Sequence, residues 1–113
     1  MAGLSDAGFQ ILLTLADGER HGYEILQALG RAGTSRIGPT TLYRTVRALR
    51  ESGFIEESDQ RRDPTEDDIR RRYYRITALG RQAAQDELQR LRSLIAMADQ
   101  TTLARRSRPR TAT

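Results

Sequence analysis

Apolar side chains recur at helical spacing in three short stretches of the first half of the chain. The first covers about residues 5–16 and begins with a serine, a residue type that favours the N-cap of a helix. The second covers about residues 21–31 and ends near glycines, which are typical of the loop after a helix. The third covers about residues 38–52, with Pro39 in its first turn, where the missing N–H costs nothing. The pattern predicts three short amphipathic helices, the third of which ends at Gly53.

Two short strands are predicted after the third helix. Residues 54–57 form a short β-like segment, and residues 72–77 form a second one that contains two Tyr, an Ile and a Thr. Residues 58–68 between them are polar and contain Pro64, which is typical of a loop. The two strands therefore predict a β-hairpin with a long tip.

A long amphipathic helix is predicted from Ala78 to about Leu103, with Thr77 as its cap. Five apolar residues within it recur at spacings of four and three, which makes a heptad-like seam. These seam residues are Ala84, Leu88, Leu91, Ile95 and Ala98. A helix of this length measures about 39 Å, more than a small domain can cover. We therefore expect the seam to pack against a partner, which is the first helix of either chain or its own copy in a two-fold homodimer.

The order of helix, helix, helix, hairpin and long helix is the winged helix-turn-helix arrangement. The expected fold class is mainly α with a small β-hairpin, a winged helix-turn-helix plus a long C-terminal dimerisation helix. Residues 1–77 are assigned to the winged-helix domain and residues 78–104 to the dimerisation helix. Residues 105–113 are basic and contain Pro109, and we expect this tail to be disordered.

Composition narrows the classes of protein. The 113 residues are the size of one domain, and the absence of cysteine excludes disulfides and thiolate metal sites. No apolar run approaches the ~18 residues that span a bilayer, and the N-terminus does not resemble a signal peptide. We therefore expect a cytoplasmic protein with no membrane partner.

The charge is unevenly distributed along the chain. The formal net charge is +4, and every one of the 19 basic residues is Arg. Residues 70–82 contain five Arg and no acid, whereas residues 54–69 contain seven acids against two Arg. The third helix and the C-terminal tail are also net positive. A partner that is recognised by charge, such as DNA, would meet these positive blocks.

The third helix divides into two faces on a helical wheel. Leu42, Val46 and Leu49 lie within about 60° of one another, whereas Thr and Arg side chains lie on the opposite side. A helix buried on one side and polar on the other can enter a major groove. The alternative is that these charges are merely the solvated outer face of a surface helix.

Five residues of this helix are candidates for DNA contact. Arg44 and Arg47 are candidates for contact with a base or a phosphate. Thr40 and Thr41 can reach a phosphate with help from the helix N-terminus. Tyr43 lies on the flank, where it either packs beneath the helix or donates its hydroxyl to a phosphate.

The second basic element is the strand after the hairpin tip. Alternate residues of a strand share a face. Arg71, Tyr73 and Arg75 are predicted to face the DNA backbone, whereas Arg72, Tyr74 and Ile76 share the other face, which meets the core through Tyr74. Arg72 is kept as a DNA-contact candidate with the first three. The alternative is a solvated hairpin edge whose charge prevents aggregation.

Acids in the hairpin tip argue against simple binding of DNA by the hairpin, which is the wing of the predicted fold. Residues 59–68 contain five acids and two Arg. These acids would repel phosphate at close range, so the tip either points away from DNA or folds onto the neighbouring Arg run and tempers its charge.

Four motifs resemble those of the PadR-like transcription regulators. They are His-Gly-Tyr-Glu-Ile (21–25), Gly-Pro-Thr-Thr-Leu-Tyr (38–43), Leu-Arg-Glu-Ser-Gly-Phe-Ile (49–55) and Tyr-Tyr-Arg-Ile-Thr-Ala-Leu-Gly (73–80). The resemblance covers roughly residues 8–98. It implies a homodimeric winged helix-turn-helix of the branch with one C-terminal dimerisation helix, usually a repressor of a two-fold operator. Some members are released from DNA by a small ligand.

The resemblance also makes three tyrosines candidates for contact with the DNA backbone. These are Tyr23, Tyr43 and Tyr73. From the residues alone, Tyr23 has a second interpretation as half-buried core. Members often have Pro soon after the tyrosine of the recognition helix, whereas this chain has Arg44 there.

An enzyme is not expected, nor is a cofactor. The chain has one His, no Cys and no glycine-rich phosphate loop. His21 is predicted to be a helix cap or a surface contact, and the acids at residues 66–68 are predicted to be solvated rather than to hold a metal. The main alternative to a DNA-binding regulator is a winged-helix adaptor that binds proteins.

Overall fold

The computed structural model describes residues 4–32, 37–58 and 72–107, with side chains up to residue 105. The elements in chain order are α1 (Asp6–Leu15), β1 (Arg20–His21), α2 (Gly22–Ala32), α3 (Pro39–Glu51), β2 (Ile55–Ser58), β3 (Tyr73–Ile76), α4 (Ala78–Asp99) and α5 (Thr102–Ser107). The expected fold class, three short helices followed by antiparallel strands and a long helix, is confirmed.

The core lies where α1, α2 and α3 meet one face of the sheet. Helix α1 begins as predicted, because the Ser5 hydroxyl accepts a hydrogen bond from the Gly8 N–H at 3.0 Å. Its buried side chains pack against apolar residues from the two other helices and from β2 and β3. The buried cluster consists of Ile11, Leu12, Leu15, Ile25, Leu29, Leu42, Val46, Leu49, Ile55 and Tyr74. This packing holds α3 on one side only and leaves its other side outward.

The sheet has three strands rather than the two of the predicted hairpin, in the order β1-β3-β2. Arg20 pairs with Tyr74 and His21 with Tyr73. The strand β1 was not predicted because two residues are too few to show a period of two. On β3 the prediction that Tyr74 faces the core is confirmed, because its side chain is fully buried.

Helix α3 ends where the sequence predicts. Gly53 has a φ of 80°, a left-handed conformation that glycine adopts without strain. Its N–H donates to the Arg50 carbonyl at 3.0 Å. The turn sends the chain straight into β2, which therefore lies beside the C-terminal end of α3.

A single residue, Thr77, joins β3 to α4. Its hydroxyl accepts from the Gly80 N–H at 3.0 Å and donates to the Gly53 carbonyl at 2.6 Å, while its N–H donates to the Phe54 carbonyl at 3.0 Å. Thr77 is thus the predicted cap of the long helix. It also fastens the start of α4 to the turn before β2.

The long helix ends at Asp99, earlier than the predicted limit near Leu103. The Thr101 hydroxyl donates to the Ala98 carbonyl at 2.6 Å and accepts from the Leu103 N–H at 3.2 Å. A threonine hydroxyl that bonds to neighbouring backbone groups in this way favours the end of a helix over its interior. A second helix, α5, follows directly. It includes residues 105–107 of the tail that was expected to be disordered. The remainder of that tail lies outside the described residues.

No helix in the described parts of the chain combines the length and the apolar character needed to cross a bilayer.

Candidate nucleic-acid interface

The outer face of α3 consists of exposed polar side chains, as the helical wheel predicts. Leu42, Val46 and Leu49 are buried. Thr40, Thr41, Arg44 and Arg47 are exposed. Tyr43 is half-buried and packs against the core, and contact of its hydroxyl with a phosphate stays a prediction.

Arg44 and Arg47 form no ion pair with any other residue in the ranges 4–32, 37–58 and 72–107. Within these ranges, their guanidinium groups keep their donors for water or an external anion. Each guanidinium offers five N–H donors in a flat fork that suits phosphate and guanine edges.

The next arginine of α3 is paired to the sheet. Arg50 Nη2 lies 3.1 Å from Glu57 Oε2 on β2, and Arg72 Nη1 lies 3.3 Å from the same oxygen. One carboxylate therefore bridges α3 and the residue that precedes β3. Sequence reasoning did not identify Arg50 or Glu57, because the contact depends on the turn at Gly53 that brings β2 beside α3.

The outer arginine of β3 is also paired. Arg75 Nε donates to Glu56 Oε2 at 2.7 Å, and the strand register places Glu56 directly opposite Arg75. Opposite charges in this arrangement stabilise an antiparallel pair modestly. Two of the proposed wing contacts, Arg72 and Arg75, are therefore held by glutamates, and Arg71 lies outside the described residues.

An aromatic group surrounds the start of α2. The His21 ring lies edge-on to Tyr73, with ring centroids 5.2 Å apart, and near Tyr23, with centroids 6.5 Å apart. Tyr23 is 53% exposed, which contradicts its alternative placement in the core. Two of the three tyrosines named by the family resemblance, Tyr23 and Tyr73, thus contact the same His21 ring.

His21 is a helix cap, one of the two roles predicted for it. Its Nδ1 accepts from the Glu24 N–H at 3.1 Å, while the Glu24 carboxylate accepts from the His21 N–H at 3.1 Å. This reciprocal arrangement is a capping box with histidine in place of serine or threonine. The cap holds the imidazole ring at the start of α2, where it contacts Tyr73.

The proposed dimer seam divides into two parts. Ala84 packs against the core of its own domain, and Leu88 lines a groove between α1 and α4. Further along the helix, Leu91 is half-buried, while Ile95 is 60% exposed and Ala98 is exposed. The C-terminal part of the seam is therefore not covered by the described residues of its own chain.

A charged pair borders this seam. Arg90 Nη2 lies 2.6 Å from Glu87 Oε2, and the hydrogen bond from Arg90 lowers the pKa of Glu87. The negative charge of the Glu87 carboxylate next to the seam is thus offset by Arg90 of the same helix.

No cluster of three or more His, Asp or Glu side chains able to hold a metal occurs in the described part of the chain. The acids at residues 66–68, which were expected to be solvated, lie outside it.

Comparison with known proteins places these features among transcription regulators. The model of the transcriptional regulator PadR-like family matches residues 11–86. An uncharacterized 37.1 kDa protein in transposon TN4556 of Streptomyces fradiae is 34% identical over 83 residues, which are 74% of this chain and 22% of that protein. The chain therefore spans about a fifth of the length of this curated relative.

Solved structures share the fold. A transcriptional regulator from Clostridium thermocellum matches with a TM-score of 0.67 and 26% identity, covering 82% of this chain and 86% of that chain. PadR of Bacillus subtilis in complex with operator DNA matches with a TM-score of 0.63 and 22% identity, covering 75% of this chain and 48% of that chain.

Proposed function

The chain belongs to the PadR-like family of transcriptional regulators, and from this premise we propose that it binds double-stranded DNA as a homodimer and represses transcription. The observation that carries the proposal is the outer face of α3. Arg44 and Arg47 are exposed there, opposite a fully buried apolar face. A helix presented in this way fits the width of a major groove.

The roles of the α3 residues follow from their positions. Arg44 and Arg47, in the first half and the middle of the helix, are proposed to contact base edges. Thr40 and Thr41 lie in its first turn, where hydroxyl groups and free backbone N–H groups together favour a phosphate. Tyr43 supports the helix from the core side.

Residues beside α3 are proposed to contact the DNA backbone. Tyr23 and Tyr73 project from the aromatic group at the start of α2 and can donate their hydroxyls to phosphates. Arg72 and Arg75 can join them only if they exchange a glutamate for a phosphate. Arg71 is proposed as a further backbone contact from its alternation with Tyr73 in the sequence.

The homodimer is proposed from the apolar side chains that α4 leaves exposed. Leu88 and Ile95 are 37% and 60% exposed, and Leu91 and Ala98 lie on the same side of the helix. Burying such a seam against its own copy gives a two-fold dimer. Two α3 helices would then meet major grooves about 34 Å apart on an inverted-repeat operator.

Release by a small ligand is proposed as the regulatory step. The groove between α1 and α4 is lined mainly by apolar side chains, among them Leu13, Ala16, Ile76 and Ala84. A groove of this character favours an apolar or aromatic molecule. Its position against α4 means that occupancy would alter how the long helix is seated.

The proposed role is regulatory binding rather than catalysis. A regulator shares a compartment with its promoter, so we expect a cytoplasmic location. The second candidate, a protein-binding adaptor, is favoured by the glutamates that neutralise the wing arginines, because such pairing reduces attraction for phosphate.

DNA selection with the purified protein, followed by sequencing of the bound fragments, tests the proposal. We expect a two-fold symmetric motif. Binding to it should weaken steeply with salt, because each phosphate contact contributes about −0.9 to the slope of log K against log salt. A protein that binds no duplex even at low salt would overturn the proposal.

A further inference from the structure

A single carboxylate oxygen joins two arginines from different elements. Glu57 Oε2 lies 3.1 Å from Arg50 Nη2 of α3 and 3.3 Å from Arg72 Nη1 before β3. The Glu57 side chain is 19% exposed, against 40% for Arg50 and 26% for Arg72. The anion is thus the innermost of the three groups, and both cations reach it from the outside.

This arrangement is what a phosphate oxygen would form in the same place. Guanidinium groups bind carboxylate and phosphate through the same short, charge-assisted hydrogen bonds. A phosphate between α3 and the wing would therefore compete with Glu57 for the same two donors. While Glu57 holds them, their positive charge is offset at the point where α3 meets the sheet.

Arg50 is close enough to the proposed reading face for this competition to matter. It follows Arg47 by three residues, which places the two side chains on neighbouring positions of the helix surface. Arg47 is exposed and makes no ion pair in the described ranges, whereas Arg50 is paired with Glu57. DNA that contacts Arg47 therefore brings its backbone toward Arg50.

We propose that Glu57 acts as an internal competitor of DNA phosphate, so that DNA must displace its carboxylate from Arg50 and Arg72 to engage both arginines. The inference rests on the proposed DNA binding and deepens it, because it names the residue that limits the sequence-independent part of the affinity. It assigns part of the tempering of the basic strand to a glutamate within the sheet, while the acidic tip lies outside the described residues.

Replacing Glu57 by Gln tests this role. Fluorescence anisotropy would measure binding to a short duplex of random sequence over a range of salt concentrations. Glu57→Gln should tighten binding at least about threefold at ~0.1 M salt and steepen the slope of log K against log salt by about one, since Arg50 loses its carboxylate partner and can meet a phosphate. Adding Arg50→Ala should remove much of this gain.

The matched control is Asp86→Asn on α4. It makes the same change of charge and keeps an oxygen that can accept the hydrogen bond from the Gln82 amide. Because Asp86 is on a different element and contacts neither arginine in the described residues, screening should limit its effect to less than about twofold. Glu57→Asp retains the charge but shortens the side chain, so it should give an intermediate gain even if Glu57→Gln destabilises the fold. Thermal unfolding of every variant identifies loss of structure.

Two failures can be told apart. If the parent binds the duplex and Glu57→Gln and Glu57→Asp, both folded, bind no tighter than Asp86→Asn, then Glu57 is a structural strut and the competition is refuted. If neither the parent nor any variant binds the duplex at low salt, DNA binding itself fails, and the competitor role fails with it.

Discussion

Gly80 and Gly30 are both helical glycines, yet their surroundings differ completely. A Cβ on Gly80 would lie 2.1 Å from the Phe54 carbonyl oxygen and 3.0 Å from Ile76 Cγ1, whereas a Cβ on Gly30 would meet nothing within 4 Å. Gly80 is therefore required by the close approach of α4 to the chain before β2. Gly30 has no such requirement.

We predict opposite effects for the two alanine substitutions. Gly80→Ala should lower the free energy of unfolding by about 1–3 kcal/mol or more, because backbone must move to accept the methyl group. Gly30→Ala should raise it by about 0.5–1 kcal/mol by restricting the unfolded chain. Urea denaturation checks both, and a Gly80→Ala variant as stable as Gly30→Ala would contradict the packing described here.

Arg44 and Arg47 are predicted to carry base preference. Arg44→Ala or Arg47→Ala should cost about 1–3 kcal/mol on the selected operator and relax the preference at one base position, if the side chain contacts a base. Arg92→Ala is the control, because it removes an exposed charge from a different helix, α4. The measurement is binding to a set of operators with single substitutions. Uniform weakening on every sequence would indicate a phosphate contact instead.

At the scale of elements, the sequence predicts most of the architecture because local chemistry marks the boundaries. Ser5, Pro39, Gly53 and Thr77 mark helix ends through capping or a fixed backbone angle, and each does so in the structure. Burial of one face of α3 follows from its 3.6-residue period. These features need no knowledge of distant contacts.

The features that escaped prediction depend on tertiary contacts or on very short segments. The two-residue strand β1 has no period, and the break at Thr101 follows from a side-chain cap inside an otherwise helical pattern. The glutamates on β2 looked like part of an acidic block. Only the register of β2 with β3 and the turn after α3 place Glu56 and Glu57 against arginines.

Helix α4 offers a matched test of the proposed dimer. Ile95 and Met97 are almost equally exposed, at 60% and 62%, but they lie about 160° apart around the helix. Ile95→Asp should therefore dissociate the dimer, because it places a charge in an apolar seam, whereas Met97→Asp should leave it intact. Sedimentation velocity distinguishes the outcomes. A dimer that survives Ile95→Asp, or is lost equally in both variants, would place the interface elsewhere.

The whole molecule is elongated, with extents of 59 × 33 × 23 Å. Its 22-residue helix α4 is about 33 Å long and is joined to β3 by Thr77 alone. A connection of one residue restricts how far α4 can move relative to β3. In the proposed dimer, the distance between the two α3 helices is therefore set by how α4 is seated on its own domain and packed against its copy.

This rigidity predicts a strict operator spacing. Adding about 5 bp, half a helical turn, between the half-sites should reduce affinity to that of a single half-site, because the second α3 would face the wrong side of the duplex. Titration of the protein against the selected operator and its lengthened form gives the comparison. Equal affinity for both forms would show that the two DNA-binding units move independently.

The joint at Thr77 also makes α4 a lever. Gly80 seats the helix directly on the Phe54 carbonyl, and Thr77 bonds to both Phe54 and Gly53. With an arm of about 33 Å, a tilt of about 5° at this pivot moves the far end of the helix by about 3 Å. Conversely, a displacement of several ångströms between the far ends of the two α4 helices corresponds to only a small rotation of the hairpin and of α3. A molecule bound beside α4 would thus change the orientation of α3 and weaken DNA binding. It would do so without touching any residue that contacts the DNA.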